Sequence, residues 1–192
     1  MNKPLCVIQG PVFNRSGYGD LSTDIAKSII KYDKYDVKIA PTRWGGCPSK
    51  ISESDLVTDE DKKLFTHFLT SQLQKQPDLF IQISIPNEFQ PIGKYNIGIT
   101  AGIETTACAV DWIVGCNRMD LIIVPSQFSK DVLVSTSYQE TDKNTKQVIK
   151  QHRIEKPVEV LFEGYNEKFF GKKSEIVLDE LDKIKEDFAF LY

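Results

Sequence analysis

The chain has 192 residues, enough for one α/β domain or one domain and the start of another, and its 41% hydrophobic content supplies a core without metal or disulfide staples. Its 24 basic and 27 acidic residues are mixed along the sequence and leave a net charge of −3, which gives no electrostatic footprint for nucleic acid. The N-terminal apolar run is too short for a signal peptide and no segment reaches the roughly 18 apolar residues of a membrane span, so a cytoplasmic location is expected.

Leu5 to Gln9 reads as a buried strand, followed by Gly10-Pro11 and the loop VFNRSGYGD. Leu21, Ile25 and Ile29 recur at intervals of four, with Ala26 and Ile30 beside them, and predict a helix from about Gly19 to Tyr32. Tyr35 to Ala40 forms a second strand ended by Pro41, and the irregular loop TRWGGCPSK follows. Thr58-Asp59-Glu60-Asp61 resembles a capping box, with Asp61 in the place of the usual Glu or Gln. Leu64, Phe65, Phe68, Leu69 and Leu73 then give a helix a wide apolar face, and Pro77 ends it before a third strand, Leu79 to Ile85.

Tyr95 to Thr100 and the unbroken apolar run Leu121 to Val124 read as two further strands joined by a helix. Thr105 or Thr106 is placed to cap that helix, with Val110, Ile113 and Val114 on its apolar side. Strand, helix and strand in this order make a right-handed crossover with parallel strands. Ser126 can cap a helix to about Tyr138 with Phe128, Val132 and Leu133 inward, and the polar stretch Gln139 to Lys156 predicts a surface helix or a loose connection. Val158 to Phe162 is another strand, followed by the turn-rich EGYNEKFFGKK.

Val177, Leu181 and Ile184 mark a charged helix before FAFLY, a fresh strand pattern. The expected organisation is a Rossmann-like N-terminal domain over residues 1–171, then a linker helix and the first strand of a missing C-terminal domain over residues 172–192. The fold class is α/β, a Rossmann-like parallel sheet with helices on both faces.

Ligands of open α/β sheets collect outside the carboxyl ends of the strands, which puts Gly102, Glu104, Thr105 and Ser126 on the ligand side. Glu104 suits a carboxylate that hydrogen-bonds sugar hydroxyls or orients a reacting group, and equally a solvated loop glutamate. Asn87 and Glu88 take the same argument with less force. Arg43 and Trp44 offer a cation and a stacking face, although Trp44 also fits as a cover for the sheet edge. The loop Asn14-Arg15-Ser16-Gly17-Tyr18-Gly19 leads into a helix N-terminus that suits phosphate or a sugar hydroxyl, its glycines letting a ligand approach the backbone; a tight turn into a helix is the alternative. It matches neither a Rossmann fingerprint, since Ser22 holds the third glycine position, nor a P-loop.

His67 and His152 have no partner at metal-ligand spacing and read as structural or solvated. Cys6, Cys47, Cys108 and Cys116 form no CxxC pair and read as reduced thiols, and Cys47 has no nearby histidine to activate it. No metal or cofactor site is expected.

Taken together, the loop SGYGD, Glu104 in GITAGIETT, Trp112 with Asn117-Arg118-Met119-Asp120, VPSQFSKDVL and VEVLFEGYNEKFF resemble the N-terminal domain of GT-B fold glycosyltransferases, especially the retaining enzymes of glycosyltransferase family 4. The resemblance implies a Rossmann-like half whose loops bind an acceptor, a saccharide or other hydroxyl compound, and close over a nucleotide-sugar held mainly by a second half. It implies acceptor contacts from Glu104, Thr105, Asn87 and Trp44, and a cleft near the donor phosphates lined by Ser16, Gly17, Tyr18 and Gly19. No catalytic residue is carried over: the histidine segment of many relatives is replaced by SIPNEF. The implied activity is hexosyl transfer once joined to a donor-binding domain, with the isolated chain inactive. The alternative is a non-catalytic sugar- or nucleotide-binding module that complements a separate donor-binding subunit.

Overall fold

The computed structural model describes residues 3–49 and 59–165. The first strand, β1 (Leu5–Gly10), is apolar on both faces, as a strand covered on both sides requires. It leads into α1 (Gly17–Tyr32), β2 (Asp36–Pro41) and a short α2 (Asp59–Leu64). Strands β3 (Leu79–Ile83) and β4 (Tyr95–Ile99) follow, then α3 (Val110–Cys116), β5 (Leu121–Val124) and α4 (Gln127–Ser135). A ribbon of β6 (Ser137–Thr141) and β7 (Val148–Arg153) precedes β8 (Val158–Val160).

Six strands form one parallel sheet in the order β2-β1-β3-β4-β5-β8. Alternation along each strand splits the core between two faces. Ile8, Ile81, Ile83 and Ile99 pack with Ala26 of α1 and Leu64 of α2 on one face. Ile122, Val124 and Val158 pack with Ile113 and Cys116 of α3 and Leu133 of α4 on the other. The fold is therefore a Rossmann-like α/β sheet with helices on both sides, as the apolar pattern predicts. The carboxyl ends of all six strands lie at one edge, and the strand order reverses beside β1.

Four local expectations are corrected. The second helix ends at Leu64, continues as a 3-10 turn over Phe65–His67, and gives way to extended chain at Phe68. Phe65 and Phe68 instead close around the buried Phe13 ring, with centroids 5.1 and 6.0 Å away, and Leu69 donates its N–H to Ile39 at the outer edge of β2. Phe128 is 52% exposed and Val114 37% exposed, so neither faces the core. α3 begins after Ala109 with no side-chain cap, because Thr105 turns its hydroxyl to the carbonyl of Ala107, 2.8 Å away.

The fourth correction is the stretch expected to be a surface helix or a loose connection. It is the antiparallel β6–β7 ribbon, with Tyr138 opposite His152 and Glu140 opposite Lys150. Both of its faces are largely polar and exposed, so no apolar alternation betrays the strands. The capping-box Thr58, the turn from Asn166 onward, the linker helix and FAFLY lie outside the described residues.

Candidate functional site

The chain leaves β1 through two tight turns, in which Val12 N–H donates to Gly10 and Asn14 N–H to Pro11. Ser16 then caps α1, its hydroxyl accepting the Gly19 N–H at 3.1 Å, so the helix starts two residues before the apolar stripe suggests. Gly17, Tyr18 and Gly19 belong to its first turn. Gly19 is buried, and a side chain there would overlap the carbonyl of Asn14. Its small size therefore lets the loop pack on the helix, rather than letting a ligand approach, which corrects the sequence expectation for this residue. Thr23 secures the same contact, accepting from Phe13 N–H at 3.1 Å and donating to Gly19 carbonyl at 2.7 Å. Gly17 faces open space.

Tyr18 joins three loops. Its ring stacks on Trp44, after β2, with centroids 4.2 Å apart and planes 26° from parallel. Its hydroxyl accepts the N–H of Ala101, after β4, at 3.0 Å and lies 3.0 Å from the Thr100 hydroxyl. The stack, Ser16, Gly17 and Ala101 bound a cleft of about 280 Å³. Ala101 also borders a second cleft of about 590 Å³, walled by Glu104, Ser126 and Phe128. A third, of about 850 Å³, runs between α1 and the ends of β4 and β5 to Leu161, Phe162 and Tyr165, sharing Gly17 with the first and Pro125 with the second. Trp44, Tyr18, Ser16, Gly17 and Glu104 thus share one continuous edge.

Glu104 is exposed, and no described residue pairs with its carboxylate. Its loop is steered by Gly102, which has φ of 85° and lies so close to Ser129 of α4 that a side chain would overlap it. Ser129 is itself fixed, donating its N–H to the Ser126 hydroxyl at 3.1 Å. Thr105 stays exposed beside Glu104.

Asn87 is not brought to this edge. The segment after β3 folds back along the sheet, its turn held by Gln82, which donates to the Glu88 carbonyl at 3.0 Å and accepts from Gln90 N–H at 2.7 Å. Ser84 bonds the Glu88 carboxylate. Arg118 of the helix end donates to the carbonyls of Asn87 and Phe89, and Gly115 packs directly on Pro86. The Asn-Arg-Met-Asp run is a clamp throughout. Asn117 bonds Arg153 carbonyl and Glu155 N–H, Met119 is buried, and Asp120 accepts from Asn96.

His67 bonds the Val37 carbonyl at 3.0 Å and His152 lies 3.5 Å from Glu140. Among the described residues, no group of three His, Cys, Asp or Glu is placed to hold a metal, and no helix is long and apolar enough to cross a membrane. All four cysteines are unpaired; burial pushes the Cys6 and Cys116 thiols up to about 12, while Cys47 is exposed. The residues that sequence reasoning missed are Thr100 and Ala101, whose role depends on a tyrosine 82 and 83 positions away in sequence.

No family model, curated protein or solved structure matches the chain. The fold and the edge define a Rossmann-like α/β protein with an aromatic platform and an unpaired carboxylate on adjoining clefts.

Proposed function

We propose that this domain is the acceptor-binding half of a glycosyltransferase that moves a sugar from a nucleotide-sugar to a hydroxyl acceptor. The observation that carries the proposal is the continuity of the Tyr18–Trp44 stack with Glu104 along the carboxyl edge of the sheet. A flat aromatic face suits the C–H face of a sugar ring, and an unpaired carboxylate accepts hydrogen bonds from its hydroxyls. Ser16 and Gly17 stand at the positive end of the α1 dipole, which favours the donor phosphates. Leu161, Phe162 and Tyr165 leave an exposed apolar rim along the same edge, the kind of surface a second domain covers.

In this reading the second half, which grips the nucleotide-sugar, is supplied by another α/β domain. Transfer requires both substrates held together in a desolvated cleft. Nucleotide release should therefore be undetectable when residues 1–192 are mixed with nucleotide-sugars and saccharides, and should appear when a donor-binding domain is fused after Tyr192. Turnover by the isolated chain that is lost in Glu104→Gln would overturn the half-enzyme reading. Saccharide binding with no turnover in any fusion would favour a binding module instead.

A further inference from the structure

We propose that the open flank of α1 is a docking surface for residues 174–187 of this same chain, which lie on it as a helix over β4 and β5. The inference stands apart from the transfer reaction and holds whether or not a donor-binding domain follows.

The receiving surface is the cleft of about 850 Å³ beside α1. On this side of the sheet α1 packs over β1 and β2, while α4 covers β5 and β8 from the other side. Among the described residues no helix other than α1 borders the cleft, and Leu21, Ile25 and Ile123 stay half-buried in its lining. An apolar trough of this size is stabilised by a cover that removes it from water. Its α1 side runs from Gly17 to Lys31, about 21 Å of helix.

Three observations name the occupant. The chain after β8, Leu161 to Tyr165, lines the same cleft, so residues 166–192 set out from beside it. Val177, Leu181 and Ile184 recur at intervals of four and three, which puts them on one face of a helix over residues 174–187. Such a helix is about 20 Å long and matches the trough.

The third observation is the order of the charges. α1 starts at the carboxyl edge of the sheet, so Asp20 and Asp24 lie toward that edge and Lys27 and Lys31 toward the other. A segment returning from the end of β8 starts at the same edge. Lys172 and Lys173 then come to the two aspartates, and Glu186 and Asp187 to Lys31; Lys27 is bonded to Asp61 at 2.6 Å. The reverse direction would set like charges together at both ends, so the charges fix the orientation. The short tether of residues 166–173 holds the chain's own segment at high local concentration, which favours it over the same segment of a second copy.

Hydrogen exchange read by mass spectrometry on the whole chain, at a low and a high protein concentration, tests this. A lone helix of this length is marginal in water, so undocked its amides exchange near the random-coil rate. Docked, residues 174–187 should exchange about a hundredfold more slowly at both concentrations. Leu181→Asp should return them to the random-coil rate while β1 keeps its protection. Asp24→Lys should speed their exchange by about fivefold, and adding Lys172→Asp and Lys173→Asp to that variant should restore the slow rate. If Leu181→Asp also strips protection from β1, the charge exchange decides alone. Residues 174–187 unprotected in the parent chain overturn the proposal. So does protection that grows with concentration, which gives the place to a second copy, or protection that Leu181→Asp leaves intact. An effect of Asp24→Lys that the lysine changes do not reverse overturns it as well.

Discussion

Tyr18 and Trp44 stack face to face at 4.2 Å, and the Tyr18 hydroxyl at the same time accepts the Ala101 N–H. One side chain in the first turn of α1 thereby positions the loops after β2 and β4. Tyr18→Phe keeps the stack and removes the hydroxyl, leaving the Ala101 N–H without its partner. We expect a loss of about 0.5–1.5 kcal/mol in urea unfolding, the net worth of such a bond. A variant as stable as the parent would show that the hydroxyl does not hold the loop.

Gly19 and Gly17 lie two residues apart and should respond oppositely to a methyl group. Gly19→Ala forces the new side chain onto the Asn14 carbonyl and should cost about 1–3 kcal/mol, as overpacking does. Gly17→Ala points into open space and should change stability by less than about 0.5 kcal/mol. Equal effects in thermal unfolding would contradict the packing account.

This pair also shows where the sequence is legible. The six strands of the main sheet, their parallel direction and Ser126 as a cap follow from apolar runs and local side-chain chemistry, and all are found, whereas the polar β6–β7 ribbon is not legible that way. The role of Gly19 does not, because its reason is a carbonyl five residues back, brought in by the turn at Phe13, whose φ is 64°. Asn87 and Asn117 have the same residue type at equally suggestive places, yet both sit in the clamp that fixes the segment after β3 and the end of the ribbon. Glu104 and Trp44 reach the edge as read. What joins them, the Tyr18 hydroxyl on Ala101, is a tertiary contact that spacing does not encode.

Acid sensitivity is expected at the opposite end of the sheet. Asp78 accepts from Lys94 at 2.7 Å and from Leu5 N–H at 2.9 Å, tying the starts of β1 and β3. The Lys94 ammonium first, and then the Leu5 N–H, hold its carboxyl below the ordinary range. The folded form thus binds this proton less tightly than the unfolded chain. Its contribution is complete above the ordinary carboxylate pKa of about 3.9 and is lost as pH falls through the lower folded value. Asp78→Asn should be less stable than the parent at neutral pH, with the difference shrinking in strong acid. A gap that does not change with pH would place the effect in packing rather than charge.

The buried thiols give a check on the core. Cys6 and Cys116, pushed up to about 12 by burial, should resist alkylation until the sheet unfolds, and Cys108 should follow them. Cys47 should react at once. Rapid labelling of Cys116 in the native protein would mean that α3 does not pack on β5 as described.

Saccharide binding at the carboxyl edge is the claim on which the functional reading rests, and a glycan array probed with the whole chain measures it most directly. The account predicts binding to at least one saccharide, weakened by about tenfold or more in both Trp44→Ala and Glu104→Gln, roughly 1.4 kcal/mol each. Asn87→Ala, away from the edge, should bind as the parent does. An array on which no saccharide binds, or on which binding survives both edge substitutions unchanged, would contradict it.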